Sequence, residues 1–99
     1  MEETVSVRIP REGLIEIEKL LKYKKLAKAV LLREILEKGI KEKKLEVALE
    51  KFQNGDASAL KAAKIAGLPL TSFLDILQKK GISFHYNIED LREDVEDLL

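Results

Sequence analysis

The side chains able to do covalent or acid–base chemistry are few in this chain of 99 residues, which has one histidine, no cysteine and no glycine-rich loop of the kind that cradles a phosphate. His85 has no second histidine at ligand spacing, so it reads as a polar position on a short extended segment rather than a base or a metal ligand. Carboxylates are plentiful, but they stand three or four residues from lysines, as Glu34 does from Lys38, which is the spacing of ordinary ion pairs on helix surfaces. The absence of cysteine removes thiolate nucleophiles, disulfides and Cys-ligated zinc. The expectation is a protein that is not an enzyme and has no metal, cofactor or small-molecule substrate.

What remains is charge and shape. The formal net charge is zero, yet residues 1–53 carry 13 basic and 10 acidic side chains while residues 54–99 carry 5 and 8. Five lysines and no acid stand between Lys19 and Lys28, whereas Glu89 to Leu99 holds six acids against Arg92. A basic stretch near one end and an acidic one at the other suit two different partners, one of them polyanionic. The same runs would also serve as plain solvated helix faces. No apolar run approaches the ~20 residues of a membrane span, and MEETVSVRIP lacks the basic start and apolar core of a secretory leader, so a cytoplasmic protein with no membrane partner is expected.

The elements that must position these residues follow from periodicity. A charged fraction of 36% beside 45% apolar residues, rich in Leu, Ala, Lys and Glu, favours helices. Thr4 to Ile9 alternates polar with β-branched apolar residues and stops at Pro10, the pattern of one half-buried strand. No second strand follows nearby, so this strand needs a partner from another molecule and implies a homodimer. Leu14, Ile17, Leu20 and Leu21 then follow helical spacing, as do Val30, Leu31, Leu32, Ile35 and Leu36 up to Gly39. Between them Tyr23-Lys24-Lys25-Leu26-Ala27 offers no capping side chain, which is compatible either with a turn or with two helices that partly merge.

Leu45, Ala48, Leu49 and Phe52 mark a third helix, punctuated by Asn54-Gly55. Asp56 or Ser58 caps the next, Leu60 to Ala66, which Gly67 terminates with Pro69 just beyond. Thr71 is the expected cap of a helix carrying Phe73, Leu74, Ile76 and Leu77 and ending at Gly81. Ile82, Phe84 and Tyr86 alternate with polar residues. Asn87 can cap a last helix whose apolar seam is Ile88, Leu91, Val95 and Leu98.

Strand, helix, turn, helix over Thr4 to Gly39 resembles the ribbon-helix-helix family of prokaryotic repressors and antitoxins. The resemblance implies paired strands in the major groove, with Thr4, Ser6 and Arg8 turned toward bases, where Arg grips guanine and Thr and Ser donate, accept or touch a thymine methyl. That family usually has a Gly and a Ser or Thr before its second helix; here Lys22, Lys24, Lys25 and Lys28 are the candidates for phosphate contacts instead. A second resemblance lies at Ala59 to Gly81, where Ala63, Gly67, Leu68, Phe73 and Ile76 reproduce helix-turn-helix spacing. It places Thr71, Ser72, Asp75, Gln78 and Lys79 on or near the exposed face of the second helix, with Asp75 repelling phosphate; a compact hairpin used only for packing has the same spacing. Lys61 to Leu68, with Phe73-Leu74, Gly81-Ile82 and the acidic end, is similar to a family of short prokaryotic helix-turn-helix proteins catalogued as uncharacterised or as antitoxins.

The expected architecture is therefore mainly all-α behind one short N-terminal β-strand, a ribbon-helix-helix dimer followed by a helix-turn-helix-like region. Its expected parts are a dimerisation and DNA-binding region over 1–40, a connecting helix over 41–55, and the helix-turn-helix-like region with its acidic helix over 56–99. The expected function is a dimeric antitoxin or autorepressor on double-stranded DNA, with Ile88, Leu91, Arg92, Val95 and Leu98 available to a toxin. A protein-interaction adaptor that never touches DNA, or a transcription regulator without a toxin, would share these features.

Overall fold

The computed structural model describes residues 1–84. Among them stand four helices, α1 (Arg11–Lys24), α2 (Lys28–Gln53), α3 (Ala59–Ala66) and α4 (Leu70–Lys79), and no strand. The chain divides into two compact units, Met1–Leu36 and Glu37–Leu99. No described helix is long and apolar enough to cross a membrane.

The strand expected over Thr4 to Ile9 is absent, and the ribbon-helix-helix fold goes with it. Residues 1–10 have no regular secondary structure, and Val5, Val7 and Ile9 are all exposed. A strand exists only through ladder hydrogen bonds to a neighbour, and no described segment offers an edge to pair with. Alternation alone does not supply one. The architecture of the described residues is all-α.

In the Met1–Leu36 unit, α1 starts on Pro10, whose carbonyl accepts from the backbone N–H groups of Gly13 and Leu14 at 3.1 and 3.3 Å. It stops at Lys25, which adopts the left-handed conformation (φ 37°, ψ 51°) and donates its N–H to the Leu21 carbonyl at 3.2 Å. α1 and α2 are thus separate helices. Leu31 is the one buried residue among those described in this unit, and α1 buries none.

α2 does not end at Gly39 but runs on to Gln53, so the expected second helix and the connecting helix over 41–55 are one. A glycine inside a helix costs only about 1 kcal/mol relative to alanine, and the strong helix formers after it bring neither a cap nor a proline. The true stop is Asn54-Gly55: Gly55 donates to the Phe52 carbonyl at 3.2 Å and Asp56 to the Lys51 carbonyl at 2.8 Å, the paired bonds of a Schellman end.

The core lies in the Glu37–Leu99 unit. Ala48 of α2, Ala62, Ala63 and Ala66 of α3, and Phe73 and Leu77 of α4 are buried together, with Leu45, Leu49 and Phe52 packed against them. The rings of Phe52 and Phe73 meet edge to face at 5.8 Å and 86°, a geometry that adds about 0.5–1.5 kcal/mol to their burial.

Candidate nucleic-acid interface

α3 is a helix of small residues, and that is why α4 can lie close against it. Ala62 and Ala63 are fully buried, leaving room for Phe73 and Leu77 to fill the angle between the two helices. The start of α3 is held by Ser58, whose Oγ accepts the backbone N–H of Lys61 at 3.2 Å, so of the two expected caps it is Ser58 and not Asp56 that performs this role. Its end is Gly67 at φ 73°, with the Gly67 N–H on the Lys64 carbonyl at 3.1 Å and the Leu68 N–H on the Ala63 carbonyl at 2.9 Å. An L side chain there would be strained, and a Cβ would meet the Lys44 Nζ at 2.9 Å.

Pro69 then sets the start of α4. Its φ of −61° is already helical, and its carbonyl accepts the Phe73 N–H at 3.1 Å, which closes the first turn. Thr71 is consequently inside the helix and is not its cap. The far end repeats the Schellman pattern, with Gly81 donating to Gln78 and Ile82 to Leu77. Ile82 and Phe84 pack against the same core.

This leaves one face of α4 in water. Thr71, Ser72, Asp75, Gln78 and Lys79 are exposed, and at about 100° per residue they share an arc of about 120° opposite Phe73 and Leu77. Thr71, Ser72, Gln78 and Lys79 thus stand together on the exposed side of α4. Asp75 is not an isolated repulsive charge, because Lys79 Nζ sits 3.0 Å from its carboxylate. The pair is exposed and adds little stability, but it lowers the cost of bringing phosphate near. From Ala57 to Phe84 four lysines, Lys61, Lys64, Lys79 and Lys80, accompany that single acid. Sequence reasoning missed Lys44, whose ammonium lies at the Gly67 turn. No local signal marks it, since it comes from α2, more than twenty residues upstream.

The other expected contacts are distributed differently. Thr4, Ser6 and Arg8 are exposed on the N-terminal segment, without the strand that was to aim them at bases. Lys22 and Lys24 fall in the last turn of α1, Lys25 is its left-handed cap, and Lys28 opens α2. Two of the four are engaged, Lys24 with Glu34 at 3.6 Å and Lys28 with Glu18 at 3.0 Å. Among the described residues no carboxylate lies within ion-pair distance of Lys22 or Lys25, and no cluster of three or more His, Asp or Glu is placed to hold a metal. Ile88, Leu91, Arg92, Val95, Leu98 and His85 lie outside the described residues.

Comparison with known proteins bears on the whole chain. A protein of the archaeon Aeropyrum pernix, called a UPF0175 protein, is 45% identical over 53 residues, covering 54% of this chain and 60% of its own length. One from Archaeoglobus fulgidus is 38% identical over 55 residues, 56% of this chain and 63% of that one. One from Synechocystis is 32% identical over 53 residues, 54% and 60%. The matches thus span about three fifths of the length of these relatives. No solved structure matches the chain. The sequence pattern that defines UPF0175, an uncharacterised protein family, runs over residues 1–99, and the chain belongs to that family.

Proposed function

We propose that this chain is a DNA-binding regulator of the antitoxin or autorepressor kind, which reads duplex DNA with α4. The observation that carries the reading is the α3–Gly67–α4 arrangement, in which a buried apolar side leaves Thr71, Ser72, Gln78 and Lys79 exposed on one helical arc. Hydroxyl, amide and ammonium groups at that spacing fit the major groove: Gln pairs bidentately with adenine, Ser and Thr meet several base edges, and lysine holds phosphate. The four lysines of residues 57–84 supply the sequence-independent attraction. Readers of this kind engage two half-sites about 34 Å apart, one per copy of a dimer.

The antitoxin element rests on the sequence of the acidic end. Ile88, Leu91, Val95 and Leu98 recur at helical spacing among six acids, a pattern suited to a groove on a second protein. Arg92, the one cation there, is the candidate for an acidic site on that partner.

Fluorescence anisotropy of the full chain on the DNA upstream of its own gene, between 50 and 200 mM salt, tests the first half. Four phosphate contacts per copy give a slope of log affinity on log salt of about −3 to −4. Absent or salt-independent binding would leave a protein-interaction adaptor as the better reading. Co-purification with the product of the adjacent reading frame tests the second half. A chain ending at Tyr86 should lose that product while keeping DNA affinity within a few-fold, and retention of the product by the shortened chain contradicts the assignment.

A further inference from the structure

At the middle of the exposed arc of α4 stands the one group that can only accept a hydrogen bond. At about 100° per residue, Asp75 falls between Thr71 and Gln78 on one side and Ser72 and Lys79 on the other, about 180° from the midpoint of Phe73 and Leu77. Of the whole arc, it leaves the core most directly. Its carboxylate is only half engaged. Lys79 Nζ lies 3.0 Å from Oδ2, the side chain keeps 56% of its surface in water, and no other partner among the described residues holds it.

From this placement we infer that Asp75 sets base specificity, its free oxygen accepting a hydrogen bond from the exocyclic amine of a cytosine. The inference rests on the reading that α4 enters the major groove. A carboxylate has no proton to donate, so it needs a donor on the base it faces. Guanine presents N7 and O6 there, both acceptors, and thymine presents O4 and a methyl group. Adenine has a donor at N6 but sets the acceptor N7 beside it. Cytosine is the one base whose edge offers a donor and no acceptor. Against guanine or thymine the carboxylate loses water and gains nothing, and that cost is what discriminates. Thr71, Ser72 and Gln78 both donate and accept, so none of them excludes a base in this way. Lys79 on Oδ2 offsets the negative charge toward the phosphates that line the groove and leaves Oδ1 to the amine.

Binding-site selection from a random duplex library at one salt concentration, with the full chain as wild type, Asp75→Ala, Asp75→Asn and Gln78→Ala, tests it. The wild-type consensus should hold a cytosine whose replacement lowers affinity by about fivefold or more. Asp75→Ala should accept any base at that position and keep the rest of the consensus. Asp75→Asn, with the same shape, should turn the preference there to adenine, which an amide meets bidentately. A carboxylate acting through its charge alone gives a different result, a uniform gain of affinity in Asp75→Ala with the consensus unchanged. That outcome overturns the inference, and so does a base other than cytosine at the position that Asp75→Ala relaxes. In either case a consensus that Gln78→Ala alters keeps α4 on the bases, so the reading of that helix survives. A wild type that selects no consensus, or one that no variant alters, removes α4 from the bases and takes the inference with it.

Discussion

Two helix ends show how differently the two units are made. α3 closes on Gly67 and α1 on Lys25, both left-handed, at φ 73° and 37°. The glycine takes that conformation without cost, while a lysine gives up about 1 kcal/mol to its Cβ. The contrast extends to the interiors. The Glu37–Leu99 unit buries Phe73 and Leu77 among alanines that fit them, whereas the Met1–Leu36 unit closes over Leu31 alone among its described residues. Among the described residues, the Glu37–Leu99 unit is consistent from caps and turns to packing, while the Met1–Leu36 unit leaves most of its apolar side chains exposed.

Substitutions that separate the units should differ by size as well as place. Phe73→Ala removes a fully buried ring and its contact with Phe52, and should destabilise the Glu37–Leu99 unit by about 3–5 kcal/mol, read as a fall in the denaturation midpoint. A loss below about 1 kcal/mol would mean the core collapses around the gap, and the contrast with the other unit would shrink. Gly67→Ala should cost about 1 kcal/mol, the left-handed penalty less what is recovered from a stiffer unfolded chain, and it obliges Lys44 to move. Lys25→Gly runs the other way and should raise stability by about 0.5 kcal/mol, since the same penalty is lifted. If both glycine and lysine prove neutral at position 25, the left-handed end of α1 is not what limits that unit.

The hairpin around Gly67 was legible in the sequence because its signals are local. A serine three residues before Lys61, a glycine after a run of alanines, a proline two residues later and phenylalanine at the fourth position of the next helix each act within a turn or two of where they stand. The exposed arc of Thr71, Ser72, Gln78 and Lys79 follows once those ends are placed. The cap assigned to Thr71 erred because Pro69 already supplies a helical φ and the accepting carbonyl. The break at Gly39 erred for a related reason, since a lone glycine among helix formers slows a helix without ending it. The strand read from the alternation of Thr4 to Ile9 is absent, because alternation supplies no neighbour to pair with, and the place of Lys44 could not be read from spacing, because it depends on how α2 lies against α3 and α4.

The most direct test of the account sets Gln78→Ala beside the wild-type chain on two duplexes, the DNA upstream of its own gene and a random sequence of the same length, at one fixed salt concentration. Gln78 is exposed and lies away from the core, so the substitution should leave the fold unchanged. If α4 reads bases, affinity for the upstream DNA falls by about 1–3 kcal/mol, or roughly five- to 150-fold, while affinity for the random duplex holds. Equal loss on both duplexes, or no loss on either, would contradict a reading role for this face of α4.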